Sequence, residues 1–273
     1  MVKVNDESSV SSSMMNIVKL TQSVVGTLLL FFSMSACAVD EIRTAAQQSS
    51  APKFMALSRD GQLAIGGICV DIMRAIEHID PGVRFVGDQS WLPRPRLEAG
   101  MLAGSIDVIC GSARSTDRLA KFDFIDPPIF SVNYVLAVRA DDPVMVANWE
   151  DIRKLGDDGI ILAIHGFGIV ERLHQVGGLQ VDDGAYSSRS NLGKLLLRRG
   201  RFYCHRSPGM KAEIHDAGLT DKIRVLPTVM LKENFFMVTS KKMNPDTAKK
   251  LRAALVTLSQ TGVLEALFQK YLD

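Results

Sequence analysis

This chain of 273 residues is poor in cysteine, with 4, and in tryptophan, with 2, and aromatic residues make up only 7% of it. So few cysteines over this length do not build the disulfide framework of a small secreted scaffold. An excess of one charge is also missing. Lys and Arg number 32 against 30 Asp and Glu, for a formal net charge of +2. Binding nucleic acid by counterion release needs a strong basic field, so no nucleic-acid partner is expected. No apolar run reaches the roughly 20 residues of a membrane-spanning helix. Phosphate-binding glycine loops and nucleophile elbows are absent, so no cofactor is expected. No metal-ligand spacing stands out either. Cys204, His205 and His215 come nearest, and unlinked residues of this kind more often belong to core and surface. What remains is an ordinary globular mixture, 47% hydrophobic and 23% charged, long enough for one large domain or two small ones.

The N-terminal apolar run, Val24–Met34 (VVGTLLLFFSM), follows Lys19 and ends among small residues. A positive segment, a short apolar stretch and small residues make a secretory leader. Ala36 and Ala38 place cleavage before Val39, so residues 1–38 are read as the leader. Residues 1–13 are polar and serine-rich and carry Asp6 and Glu7, and a start at Met14 or Met15 would leave a conventional leader. The alternatives are a lipid anchor at Cys37, because Met34-Ser35-Ala36-Cys37 is an imperfect lipobox, and an uncleaved anchor. Cys69, Cys110 and Cys204 remain in the mature chain. The plain reading is buried thiols, with Cys69 on the apolar face of a helix and Cys110 at the end of an apolar strand. A Cys69–Cys110 bridge is the alternative.

Along the mature chain, short apolar runs alternate with helical periodicity. Cys69, Ile72, Met73, Ile76 and Ile79 fall on one helical face, with Arg74, Glu77 and His78 opposite. Pro95–Ala103 reads as a helix closed by Gly104. Ile106–Cys110 and Ile160–Ile164 read as buried strands, Gly168–Gln175 and Leu192–Arg199 as helices, and Ile223–Leu226 as a strand. Helices near Thr247–Leu258 and Val263–Leu272 close the chain. This alternation argues for an α/β fold with mainly parallel sheets. Asn133–Arg139 and Phe235–Thr239 break it, since both are extended with no helix leading into them. A chain that leaves one lobe, builds a second and returns needs two such crossing strands, which would form a hinge.

Four stretches then carry a family resemblance. Gly67–Glu77 (GICVDIMRAIE) has a glycine followed by an aspartate-bearing helix start. Leu102–Gly111 (LAGSIDVICG) has the pattern L-x-x-G-x-x-D before a strand. Ser115-Thr116-Asp117-Arg118 is followed by Phe122-Asp123-Phe124 and Pro127. Leu258-Ser259-Gln260-Thr261-Gly262-Val263-Leu264 precedes Tyr271-Leu272 at the end. In this order, over about residues 40–273, they resemble the bacterial extracellular solute-binding proteins of family 3, the amino-acid-type periplasmic-binding proteins. The resemblance implies a two-lobed type II periplasmic-binding fold, with each lobe a mainly parallel sheet flanked by helices and two hinge crossovers. Lobe 1 would hold residues 39–138 and 235–273, and lobe 2 residues 139–234. It further implies a periplasmic monomer that captures a small polar solute, with the membrane permease of an ABC transporter as its partner.

Candidate ligand residues follow. Arg118 comes after a strand and a short turn, at the mouth between lobes, and its planar guanidinium can pair bidentately with a carboxylate. The resemblance assigns it the ligand's α-carboxylate. Ser112 and Ala113 lie in the preceding turn, and Ala113 lacks the hydroxyl that the family often has there. His165-Gly166-Phe167-Gly168 links a strand to a helix, where free N–H groups and the helix dipole favour an anion. Contacts are therefore expected from Gly166 and Gly168, with Phe167 as a cover. Trp91 is placed either to stack on the ligand or to pack on the adjacent helix. Arg94 or Arg96 could add an anion contact. Gln47, Gln48 and Ser49 follow the first strand, and Phe54 is a candidate aromatic wall.

One departure stands out near Gly200–Pro208 (GRFYCHRSP). The family usually reads G-R-x-D-A there, with a later aspartate for the ligand's ammonium. Here Tyr203 and Cys204 replace Asp-Ala, and Arg206-Ser207-Pro208 supplies no carboxylate. Unless Asp182 or Asp183 reaches in, a buried ammonium would have no partner. A non-amino carboxylate, or another small polar solute, becomes the more natural ligand. Two alternatives stay open. One is a same-fold enzyme of the cyclohexadienyl-dehydratase type, for which Glu171 and His165 are the nearest acid and base. The other is a sensing module that docks on a membrane receptor. The expectation is a non-enzymatic solute-binding protein.

Overall fold

The computed structural model describes residues 39–59 and 62–272. The leader, its cleavage before Val39, the lipid alternative at Cys37 and the start at Met14 or Met15 all lie outside the described residues. Among those residues, no helix is long and apolar enough to cross a membrane.

The chain opens with β1 (Asp40–Arg43), β2 (Ala46–Gln47) and the antiparallel pair β3 (Met55–Arg59) and β4 (Gln62–Gly66). Helix α1 (Ile68–Ile79) follows, then β5 (Val83–Val86), β6 (Trp91–Leu92), α2 (Arg94–Ala103), β7 (Val108–Ala113) and the short α3 (Thr116–Lys121). Next comes the 18-residue strand β8 (Phe122–Arg139). After it run α4 (Trp149–Arg153), β9 (Ile161–Ile164), α5 (Gly168–Val176), β10 (Val181–Ala185), α6 (Ser188–Leu196), β11 (Phe202–Ser207), α7 (Met210–Asp216) and β12 (Ile223–Val225). Strand β13 (Leu231–Ser240) returns, and α8 (Pro245–Gln260) and α9 (Val263–Gln269) finish the chain.

Local chemistry explains these elements. In α1, Cys69, Ile72, Met73 and Ile76 are fully buried at helical spacing, while Arg74 turns outward. Asn244 caps α8 by accepting from the N–H groups of Asp246 and Thr247, with Pro245 in the first turn. Ser115 caps α3 in the same way, accepting from the Arg118 N–H at 3.3 Å. The sequence offers only a short turn at this point. The helix is six residues long and too brief to show an apolar period, so its cap is the signal that reveals it.

The extended stretches expected at Asn133–Arg139 and Phe235–Thr239 belong to β8 and β13, which pair antiparallel from Tyr134 against Leu231 to Phe122 against Ser240. Around them one sheet runs in the order β10-β9-β11-β8-β13-β7, and β12 also pairs with β8. Parallel ladders join β9 to β10 and β11, β1 to β5, and β2 to β6. The antiparallel ladders all involve the crossing strands, apart from the β3–β4 pair. The βα units on each side of the crossing strands point their loops toward the same cleft.

Cys69 and Cys110 form a disulfide, with their Cα atoms 5.8 Å apart. This overturns the plain reading of two buried thiols. The apolar positions were recognised correctly, but the fold sets the first turn of α1 directly against the middle of β7, within bridging range. Cys204 remains a free, buried thiol, which burial pushes well above the ordinary thiol range. The bridge ties α1 to β7, the strand that carries Ser112 and Ala113. Replacing Cys69 and Cys110 together by alanine is expected to lower unfolding free energy by about 2–4 kcal/mol in urea titrations. An unchanged midpoint would show that the bridge adds nothing to the folded state.

Candidate functional site

The ends of β2, β7 and β11, the start of α2 and the turn before α5 converge on one small cavity. Its lining includes Lys53, Arg94, Arg118 and Arg206, and each of these cations is less than 10% exposed. Ser112, Ala113, Phe167 and Gly168 line it too, as the sequence leads one to expect. Among the described residues, no carboxylate or imidazole lines this cavity.

Arg118 ties the two sides of the cleft together. Its Nε donates to Glu98 Oε1 at 2.9 Å, and its Nη2 donates to the Gly166 carbonyl at 2.9 Å. Arg94 donates through Nε to the same Glu98 oxygen at 2.7 Å and through Nη2 to Ser112 Oγ at 2.7 Å. The fold therefore selects Arg94 over Arg96, which is exposed. One carboxylate serves two guanidinium groups. Burial opposes ionisation of Glu98, but the charges of Arg94 and Arg118 outweigh it and hold the carboxyl below the ordinary glutamate range. Burial, reinforced by Arg118, pushes Arg94 down to about 10.

Lys53 is the main residue that sequence reasoning missed. Its Nζ donates to Gln47 Oε1 at 2.8 Å and to the Gly111 carbonyl at 2.6 Å. Burial, with Arg206, Arg94 and Arg118 behind it, holds its ammonium well below the ordinary lysine value. A lone lysine before Phe54 gives no sequence signal, and only the chain's return past β7 brings it to the site. Arg206 was noted only for supplying no carboxylate. It is 3% exposed, donates to the Ser49 carbonyl at 3.2 Å and lies 5.2 Å from the Phe167 ring centroid.

The other expected residues fall elsewhere. Gln48 is exposed, whereas its neighbour Gln47 is buried and reaches the cavity. Gln47 is the last residue of β2, and Gln48 falls in the bend that follows it. Phe54, 2% exposed, belongs to the hydrophobic core, and Trp91 is half-buried against that core with its backbone in the β2–β6 ladder. Gly166 contributes its carbonyl to Arg118 and lines an open outer groove rather than the cavity. Gly168 allows the close approach of α5, because a Cβ there would stand 2.8 Å from Arg118 Nη1.

Asp182 and Asp183 do not reach in. Asp182 pairs with Lys194 at 2.8 Å, and Asp183 faces His165 at 3.3 Å beside the outer groove. Glu171 and His165 line that groove as well. His205 is buried 3.3 Å from Glu213, His215 is exposed, and among the described residues no group of side chains could hold a metal ion. A separate depression lined by Arg139, Asp141, Asp142, Arg198 and Arg201 is a surface network whose charges pair with one another.

Comparison with known proteins agrees with this geometry. The family model described as bacterial extracellular solute-binding proteins, family 3, matches residues 42–273. No curated protein sequence matches the chain. Among solved structures, the chain is similar to an amino acid ABC transporter substrate-binding protein from Streptococcus pneumoniae bound to L-arginine. The TM-score is 0.68 at 15% identity, covering 85% of this chain and 94% of that one. It is also similar to a histidine kinase sensor domain described as resembling periplasmic binding proteins, with a TM-score of 0.69 at 19% identity, covering 86% and 96%. A third similar structure is the GluR0 ligand-binding core from Nostoc punctiforme in complex with L-glutamate, with a TM-score of 0.64 at 17% identity, covering 85% and 99%. At these identities the likeness establishes the type II periplasmic-binding fold.

Glu98→Gln removes the shared counter-charge and is expected to lower stability at pH 7 by about 2 kcal/mol. Because the folded carboxyl titrates low, this contribution is complete above the ordinary glutamate value of about 4.3 and fades as pH falls through the folded value. Urea melts of the two proteins should therefore converge in acid. A gap that stays constant with pH would contradict the ionised role of Glu98.

Proposed function

We propose that this chain, which belongs to the bacterial extracellular solute-binding proteins of family 3, captures a small carboxylate-bearing solute in the cavity beside β8 and β13. The observation that carries the proposal is the buried, cation-lined cavity, with Arg118 reaching from Glu98 on one side to the Gly166 carbonyl on the other. A guanidinium held in this way presents its remaining donors to a ligand carboxylate in a fixed direction.

Lobe 1 (residues 39–138 and 235–273) and lobe 2 (residues 139–234) close about the crossing strands, and closure is the binding step. Several contacts support a closed arrangement. Arg206 donates to the Ser49 carbonyl, the Ser188 N–H faces Ser49 Oγ at 3.4 Å, and Arg172 donates to the Arg114 carbonyl at 3.0 Å. Ligand oxygens add to these bridges and raise the closed population. The partner is the membrane permease of an ABC transporter, which a monomeric carrier in the periplasm serves. Similarity to ABC transporter substrate-binding proteins supports this role. Binding is favoured over turnover because the candidate acid and base, Glu171 and His165, face the outer groove rather than the enclosed cavity.

A thermal-shift screen of small carboxylates and amino acids should yield compounds that raise the melting temperature by mass action. For the tightest of them, Arg118→Ala is expected to weaken binding at least tenfold in calorimetry, about 1.4 kcal/mol. Unchanged affinity would remove Arg118 from the site. Catalytic conversion of the compound would overturn the carrier role.

A further inference from the structure

We propose that the ligand is a compact dicarboxylate without an ammonium group, gripped by two cation pairs, Arg94 with Arg118 and Lys53 with Arg206. This inference rests on the solute-binding role above and specifies its ligand.

The first pair is joined at one oxygen of Glu98. In the second pair, Lys53 lies on the segment after β2 and donates to Gln47 and to the Gly111 carbonyl of β7, while Arg206 lies on β11 and donates to the Ser49 carbonyl. Lys53 and Arg206 also share a second small void with Pro52 and Pro208. The electrostatics divide in the same way. Among charged neighbours, Arg206 depresses Lys53 most, and Arg118 depresses Arg94 most.

Three buried guanidinium groups, and the Lys53 amine whose charge burial and those arginines disfavour, surround one cavity with positive charge in excess of its counter-charges. Glu98 neutralises a single charge. Glu213 stays ionised beside His205, whose protonation burial disfavours, and its charge acts on Arg206 from behind the cavity. Glu233 pairs with Arg172. Two negative charges on a ligand would offset most of the remainder. Arg206 Nε, moreover, is buried with no hydrogen-bond partner, and a ligand oxygen is what such a donor lacks. An ammonium group would find no carboxylate on the cavity wall and would meet cations instead.

Size and shape narrow the class. The cavity is small, which favours a short ligand over a bulky one. Phe167 and Phe235 add an apolar surface to the lining, against Arg206 and Lys53, on which a short methylene chain can lie. Two separate cation pairs fit two anionic groups better than one phosphate centre.

The test is calorimetry on the chain from Val39 at pH 7. The probes are malonate, succinate and glutarate, with monomethyl succinate, glutamate, glutamine and inorganic phosphate beside them. One of the dicarboxylates is expected to bind at least tenfold more tightly than the half-ester, the amino acids and phosphate. Arg206→Gln, checked for native circular dichroism, should weaken succinate at least tenfold while changing the half-ester less than threefold. Tightest binding of glutamate, glutamine or phosphate would overturn the dicarboxylate assignment and leave the solute-binding role standing. Equal losses for succinate and its half-ester would overturn the second cation pair. Absence of binding by every probe would overturn both the assignment and the role it rests on.

Discussion

Like charge held together out of water is the constraint on which the site depends. Lys53, Arg94, Arg118 and Arg206 are all nearly buried around one small space, and Glu98 is the carboxylate placed between two of them. Burying cations without counter-charge is unfavourable. The protein offsets part of this with backbone carbonyls at Gly111, Gly166 and Ser49, and with Gln47 and Ser112. These neutral acceptors orient the cations but do not neutralise them. In the proposal above, this remaining charge is what an anionic ligand would offset, favouring the closed arrangement when it is bound.

The scaffold explains how residues so far apart in sequence reach one cavity. Strands β8 and β13 run antiparallel through the centre, and βα units on either side deliver their loop ends to the same cleft. On one side the Cys69–Cys110 bridge fixes β7 against α1. On the other, the β9–α5 turn brings Gly168 close enough to Arg118 that a methyl group would crowd the guanidinium. The near-neutral overall charge gives the molecule little long-range field, in keeping with the proposal that a few buried groups do the recognising.

Much of this was legible in the sequence. The apolar period of Cys69–Ile79 produced a helix with Cys69, Ile72, Met73 and Ile76 buried and Ile79, at its last turn, exposed, and Asn133–Arg139 with Phe235–Thr239 fell within the two crossing strands. Arg118, Ser112, Ala113, Phe167 and Gly168 were marked by motifs at strand ends, where this architecture gathers its loops. Lys53 was not legible, because no local pattern distinguishes a lysine that folds inward from one that stays in water. Gln47 and Gln48 could not be told apart until the structure ended β2 at Gln47 and turned the chain at Gln48. The disulfide was offered only as an alternative, since pairing depends on the approach of two elements 41 residues apart. The missing ammonium partner was visible in Tyr203 and Cys204, but the cations that accompany its absence emerged only in three dimensions.

A crystal structure of the chain soaked with succinate tests the central claim most directly. The expected density is a single extended molecule in the enclosed cavity, with one carboxylate at Arg94 and Arg118, the other at Lys53 and Arg206, and an oxygen within hydrogen-bond distance of Arg206 Nε. Density confined to the outer groove beside His165 and Glu171, or a ligand that leaves Lys53 and Arg206 untouched, would contradict the arrangement of two cation pairs.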